Sequence, residues 1–174
     1  VTAVLSRLGL SAEEIDAGMR SFPGIRRRQE LFAEAGGVAL LDDFAHHPTA
    51  VVETLSAVRL RFGERRLWAV FEPRTNTSRT NRFQDEYDRA FEVADRLLLA
   101  PVDHPEKVAD GERLDVARIA AAAGDKARTM PSVDAIVETL AAECEPGDVV
   151  LLMSNGAFGG IYDKLPAALR AGEG

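Results

Sequence analysis

The chain has 174 residues, 46% of them hydrophobic and 28% charged, with a net charge of −7, which is enough for one sizeable domain with its own core. The acidic balance argues against nucleic acid as a general partner, and no apolar run approaches the about 18 residues of a membrane span. A single cysteine, Cys144, excludes an internal disulfide and reads as a bland buried or half-buried thiol.

No basic n-region precedes an apolar h-region, so a cytoplasmic protein is expected. The sequence begins at Val1 inside what already reads as a helix and is expected to be a piece of something longer. Ser11-Ala12-Glu13-Glu14 has the S-x-x-E form of a capping box, which predicts a helix from about Ala12 to Met19 before Pro23-Gly24 ends it. Arg26-Arg27-Arg28 follows. Two strand-like runs, 29–35 and 38–41, flank Gly36-Gly37, a two-residue hairpin signal.

Asp42-Asp43-Phe44-Ala45-His46-His47-Pro48 comes next and carries two of the three histidines. Pro48 suits the first turn of a helix, and Val51, Val52, Leu55, Val58 and Phe62 recur at helical spacing, with Gly63 at the C′ position. The seven residues are therefore expected on a strand-to-helix loop. Leu67–Phe71 reads as a buried strand, Phe83, Tyr87, Ala90, Phe91 and Ala94 as a helical face, and 96–100 as a third strand. An Ala-rich helix over 114–123, a weak strand over 127–130, a helix capped by Ser132, a strand over 148–153 and a last helix to about Leu169 complete the pattern.

This β-α alternation with short apolar strands predicts an α/β domain whose mainly parallel sheet is covered on both faces, the hairpin adding an antiparallel edge strand at the N-terminal side. Asp43/His46/His47, Glu72/Arg74/Asn76, Asp103/His104 and Ser154/Asn155 each follow a strand and so share one edge of the sheet, where open α/β folds bind ligands. Asp43, His46, Arg74 and Ser154 are expected to line one cleft. Residues 1–82 hold 12 Arg and 10 Asp/Glu, whereas 83–174 hold 9 Lys/Arg and 18 Asp/Glu, so an anion site belongs in the first half.

The spacing of Asp42, Asp43, His46 and His47 matches neither C-x₂-C nor H-E-x-x-H, so no metal is expected there. Ser154-Asn155-Gly156 is not a G-x-S-x-G elbow, although backbone amides at the following helix start suit an anion. No G-x-x-x-x-G-K-[ST] or G-x-G-x-x-G occurs, so nucleotide phosphates would have to be held by another domain.

FPGIRRRQE, LLDDFAHHPTA, VFEPRTNTSRT and VVLLMSNGAFGGI stand here in an order and spacing that resembles the C-terminal domain of the Mur ligases, ATP-dependent amide-forming enzymes of peptidoglycan synthesis. Within that family the motifs are most similar to the muropeptide-ligase branch, which attaches L-alanyl-γ-D-glutamyl-meso-diaminopimelate to UDP-N-acetylmuramate. L-Alanine-adding relatives carry a second motif resembling FQPHRYTRT, so Glu72, Arg74 and Asn76 depart from them. The resemblance implies a three-layer Rossmann-like fold. It also implies that residues 1–22 end the preceding central domain or form a linker helix, with 23–174 as the C-terminal domain.

By position in those motifs, Arg28 is expected near the phosphates of ATP, Asp43 at the ribose hydroxyls and His46 at the reaction centre. Arg74, Asn76 and Arg79 are expected to bind the carboxylates of the incoming tripeptide, with Ser154 and Asn155 finishing the pocket. The implied partners are UDP-N-acetylmuramate, the tripeptide and the protein's own N-terminal and central domains. ATP with Mg2+ is bound mostly by the central domain, so the chain alone is not expected to catalyse. The rival functions are L-alanine addition and, in another class, a non-catalytic binding module on the same edge.

Overall fold

A computed structural model of the chain describes residues 2–22 and 24–172. Helix α1 (Thr2–Arg7) packs on α2 (Ala12–Ser21). The predicted capping box forms: Ser11 Oγ accepts from Glu14 N at 3.2 Å, and Glu14 Oε2 accepts from Ser11 N at 2.8 Å. Pro23, expected to end this helix, lies outside the described residues.

The sheet comprises β1 (Glu30–Ala35), β2 (Val38–Asp43), β3 (Leu67–Phe71), β4 (Arg96–Leu99), β5 (Ala127–Thr129) and β6 (Val149–Met153), in the spatial order β1-β2-β6-β3-β4-β5. Only β1 and β2 pair antiparallel; the other neighbours are parallel. Gly36 and Gly37, at φ 60° and 71°, turn the hairpin in the left-handed region that glycine enters without strain. The predicted mainly parallel sheet with an antiparallel edge strand is what forms.

Helices α3 (Pro48–Phe62), α4 (Gln84–Tyr87) and α5 (Val116–Ala123) cover one face, and α6 (Val133–Glu143) and α7 (Ile161–Ala171) the other. The strands are apolar throughout because both faces are buried. Leu41, Ala69, Phe71, Leu97, Leu99 and Leu151 meet Val51, Leu55, Tyr87, Phe91 and Ile119. The alternate residues Leu40, Trp68, Val70, Leu98 and Val150 meet Ile136, Leu140, Ile161 and Leu165. Pro48 starts α3 as expected, and Gly63 at φ 61° ends it.

Two elements differ from expectation. Asp42 and Asp43 are not in the loop but close β2, because β2 stays paired with β6 as far as Met153. The helical face expected over 83–94 is one short helix followed by i→i−3 turns, such as Ala90 N to Tyr87 O at 3.2 Å and Ala94 N to Phe91 O at 3.2 Å. Tyr87, Ala90, Phe91 and Ala94 are nonetheless buried, since tighter winding also returns the chain to one side every three residues.

Cys144 is half-buried, as expected. Burial, with Asp148 beside it, pushes its thiol up to about 12, so it stays protonated and unreactive near neutral pH.

Candidate functional site

The strands end level. Asp43 is opposite Met153, Met153 opposite Phe71, and Phe71 opposite Leu99. The loops leaving them are tied together by Ser154 N to Asp43 O at 3.2 Å and Glu72 N to Met153 O at 3.1 Å. Asp43, His46, Arg74 and Ser154 therefore lie at or just beyond strand ends on one edge of the sheet, but Asp43 and Ser154 are buried and do not line a cleft there.

At β2 the chain turns through Phe44–His47 into α3. His46 Nδ1 lies 2.9 Å from Phe44 O; a carbonyl only accepts, so Nδ1 is the donor, and Nε2 has no hydrogen-bond partner among the described residues. The loop is held from below by Tyr87, whose hydroxyl donates to His46 O. Arg28 is exposed, its guanidinium carbon 5.7 Å from the Phe44 ring, and no carboxylate pairs with it among the described residues. An unpaired arginine at a strand edge is suited to a phosphate.

Asp43 corrects an expectation. It is 1% exposed, with Oδ2 accepting from Gln29 N at 2.9 Å and Oδ1 from Ala45 N at 2.7 Å and Thr54 Oγ1 at 3.4 Å. The carboxylate is thus below the surface and engaged within the protein, where it shapes the loop that presents His46.

Beyond β3, Ser78 Oγ accepts from Arg74 N at 3.0 Å and Thr75 N at 2.9 Å, which folds 74–78 into a tight turn. Arg74 is about a third exposed, and its nearest carboxylates are Glu72 at 4.0 Å and Asp103 at 3.9 Å, both beyond hydrogen-bond length. Its charge is balanced, and among the described residues its guanidinium makes no hydrogen bond. Arg79, expected as a second substrate cation, is buried and donates from Nη2 to Asp103 Oδ2 at 2.8 Å. That pair anchors the turn, while the buried Nε of Arg79 has no hydrogen-bond partner among the described residues. Asn76 is exposed above it, accepting from Arg79 Nη1 at 3.4 Å.

Ser154 is fully buried; its Oγ donates to Glu72 and accepts from Gly156 N at 3.0 Å. It therefore orders the last loop rather than facing a ligand. Asn155 keeps a buried Oδ1 without a partner, an acceptor that a bound N–H would satisfy. The sequence reading did not separate out Arg27, which carries the densest set of contacts at this edge.

Burial holds the Glu72 carboxyl above the usual carboxylate range, against the opposing pull of Ser154 and Arg74. A folded-state pKa above the unfolded one means that the native state binds this proton more tightly, so the group's contribution worsens as pH rises through the folded pKa. Glu72→Gln, which keeps an acceptor for Ser154, should raise Tm at neutral pH. That gain should vanish in melts below the ordinary carboxylate range; an equal gain at both would remove the buried charge as its cause.

The sequence model described as "Mur ligase, glutamate ligase domain" matches residues 27–156. The chain belongs to the Mur ligase family. It corresponds to the C-terminal domain of those enzymes and spans about a third of the length of the curated relatives that it matches.

Among Mur ligases, it is 38% identical over 165 residues to the UDP-N-acetylmuramate–L-alanyl-γ-D-glutamyl-meso-2,6-diaminoheptandioate ligase of Escherichia coli, covering 94% of this chain and 34% of that one. It is 36% identical over 173 residues to the UDP-N-acetylmuramate–L-alanine ligase of Agrobacterium fabrum, covering 97% of this chain and 36% of that one. The solved murein peptide ligase of Psychrobacter arcticus superposes with a TM-score of 0.72 at 32% identity, over 97% of this chain and 35% of that one. Among the described residues of this Mur ligase domain, no group of three or more His, Cys, Asp or Glu is arranged to hold a metal ion, and no helix is long and apolar enough to cross a membrane.

Proposed function

We propose that the chain is the closing lobe of an ATP-dependent amide ligase that joins L-alanyl-γ-D-glutamyl-meso-diaminopimelate to UDP-N-acetylmuramate in peptidoglycan recycling, in the cytoplasm. The observation that carries this reading is Arg74: a partly exposed guanidinium at the strand edge, with both neighbouring carboxylates too far away to take its hydrogen bonds. The incoming tripeptide carries several carboxylates and L-alanine one. A planar fork of free donors matches a carboxylate bidentately and thereby orients the amine.

In the reaction class, ATP supplies the phosphoryl group that turns the sugar carboxylate into an acyl phosphate. The peptide amine attacks that carbon, the C–N bond forms, the C–O bond to phosphate breaks, and the amine gives up a proton. His46 Nε2, the free acceptor at the edge, is the group on this chain placed to take it. Arg28 reaches toward the transferred phosphate, while Asn76 and Asn155 line the peptide side. The magnesium ion and the phosphate loop are assigned to residues outside this chain.

The domain assignment follows the same reading: residues 1–22 end the preceding domain or form a linker helix, and 23–174 form the lobe. It is supported by the match beginning at residue 27 and by α1 packing on α2.

Similarity to the L-alanine ligases is nearly as high, so acceptor choice is the point to test. Phosphate release by the full-length enzyme should require ATP, UDP-N-acetylmuramate and the tripeptide together, and L-alanine should not replace the tripeptide. Turnover with L-alanine alone would move the protein to the L-alanine branch. Binding of these molecules without turnover would make it a binding module.

A further inference from the structure

Three adjacent arginines look alike in sequence, but Arg27 is held differently from its neighbours. Its φ of 57° is uncommon for a residue with a side chain and persists only where the surroundings fix it. Nε donates to Asp42 Oδ2 at 2.9 Å, and Nη2 donates to Ser154 O at 2.6 Å, Gly156 O at 3.2 Å and Tyr162 Oη at 3.3 Å. The Tyr162 hydroxyl in turn donates to Asp42 Oδ1 at 2.9 Å, and Asp42 is 6% exposed. The rings of Phe44 and Tyr162 stand 5.4 and 5.9 Å from the guanidinium carbon. This is a shielded fork with named acceptors, a task that a lysine point charge performs poorly.

The backbone that Arg27 grips also carries Arg74. A Cβ built on Gly156 would stand 2.3 Å from Arg74 Nε, 2.5 Å from Cζ and 2.6 Å from Cδ. The Arg74 guanidinium therefore lies directly on the Gly156 Cα, in space that only glycine leaves open.

We propose that Arg27 is a positioning residue for the acceptor peptide: it fixes the Ser154–Gly156 backbone, and that backbone sets where the Arg74 guanidinium meets the peptide carboxylate. The inference rests on the reading of Arg74 given above. ATP binding is set apart from it, because the backbone on either side of Arg28 is held by Phe44 N donating to Arg27 O at 2.9 Å and Gln29 N donating to the Asp43 side chain, Oδ2, at 2.9 Å, neither of which needs the Arg27 side chain.

The test uses the full-length enzyme with Arg27→Lys and Gly156→Ala, each alone and combined with Arg74→Ala, varying tripeptide and ATP separately. Each single variant should raise the tripeptide KM about tenfold, the equivalent of about 1.4 kcal/mol, and leave kcat and the ATP KM within about twofold. In the Arg74→Ala background both losses should disappear, since the group being positioned is already gone.

Fully additive losses, or an ATP KM that moves in step, would mean general loosening and overturn the inference. If Arg74→Ala alone leaves tripeptide kinetics unchanged, the reading of Arg74 fails and the inference fails with it. If Arg74→Ala is impaired while Arg27→Lys and Gly156→Ala are not, the inference alone fails. Gly156→Ala keeps the test decisive should Arg27→Lys not fold, because Gly156 is not at positive φ and the three atoms nearest its Cβ would all belong to the far end of the Arg74 side chain.

Discussion

If the proposed function holds, Arg74→Ala in the full-length protein should lower kcat/KM for the tripeptide by about 10- to 100-fold, the loss expected when a partly desolvated, charge-assisted pair worth roughly 1.5–3 kcal/mol is removed. The effect should fall on the tripeptide and not on ATP, because the guanidinium leans on Gly156 and stands between Glu72 and Asp103, all at the ends of β6, β3 and β4. Arg28 lies on the other side of β2, at the start of β1. Steady-state titration of each substrate separates the two. Equal losses for both would mean that the edge has collapsed, and no loss would remove Arg74 from the site.

The largest expected effect on stability lies at the opposite end of the sheet. Asp148 is 4% exposed and accepts from Arg66 Nη2 at 2.7 Å, Arg66 Nε at 3.0 Å, Trp68 Nε1 at 3.0 Å and Glu145 N at 3.0 Å. Asp148→Ala leaves the indole N–H of Trp68, itself 1% exposed, without an acceptor, and leaves Arg66 without its bidentate carboxylate, holding only Glu143 O at 2.9 Å and Glu145 at 3.7 Å.

Asp148 serves a buried indole and a partly exposed arginine at once; an unsatisfied indole N–H costs about 1–3 kcal/mol and the lost charge-assisted bonds about 1.5–3, together about 3–5 kcal/mol. At roughly 2–4 °C per kcal/mol for a domain of this size, Tm of the chain should fall by about 10 °C. Asp148→Asn, which retains an acceptor for the indole, should recover part of the loss. A Tm within about 2 °C of the parent would show that the cluster is not structural.

Much of this domain is legible in its sequence. The strands are short apolar runs because both faces of the sheet are covered, and the helices begin where Ser11, Pro48 and Ser132 say they should. Strand-end polar residues share an edge because parallel strands end on the same side, so the site's location follows from alternation alone.

What failed was the assignment of tasks within that edge. Asp43 and Arg79 have the right chemistry for ligands but are buried and hold neighbours, Asp43 holding Gln29 and Ala45, and Arg79 holding Asp103. Such pairings join distant parts of the chain and leave no local pattern. Arg27 was hidden in a run of three identical residues, and its left-handed backbone carries no glycine to announce it. The one usable signal was Gly156, a glycine just past a strand end; the structure, where it is not at positive φ, shows that it serves a close approach by Arg74.

The central claim, that Arg74 at this edge grips a carboxylate of the incoming peptide, is tested most directly by pairing the protein variant with altered substrates. Tripeptides in which each carboxylate in turn is a carboxamide are assayed with the parent full-length enzyme and with Arg74→Ala. One carboxamide should cost the parent the same about 10- to 100-fold as Arg74→Ala does, and should cost the Arg74→Ala enzyme nothing further. If every carboxamide that slows the parent slows Arg74→Ala by the same factor again, Arg74 does not meet the peptide and the account is contradicted.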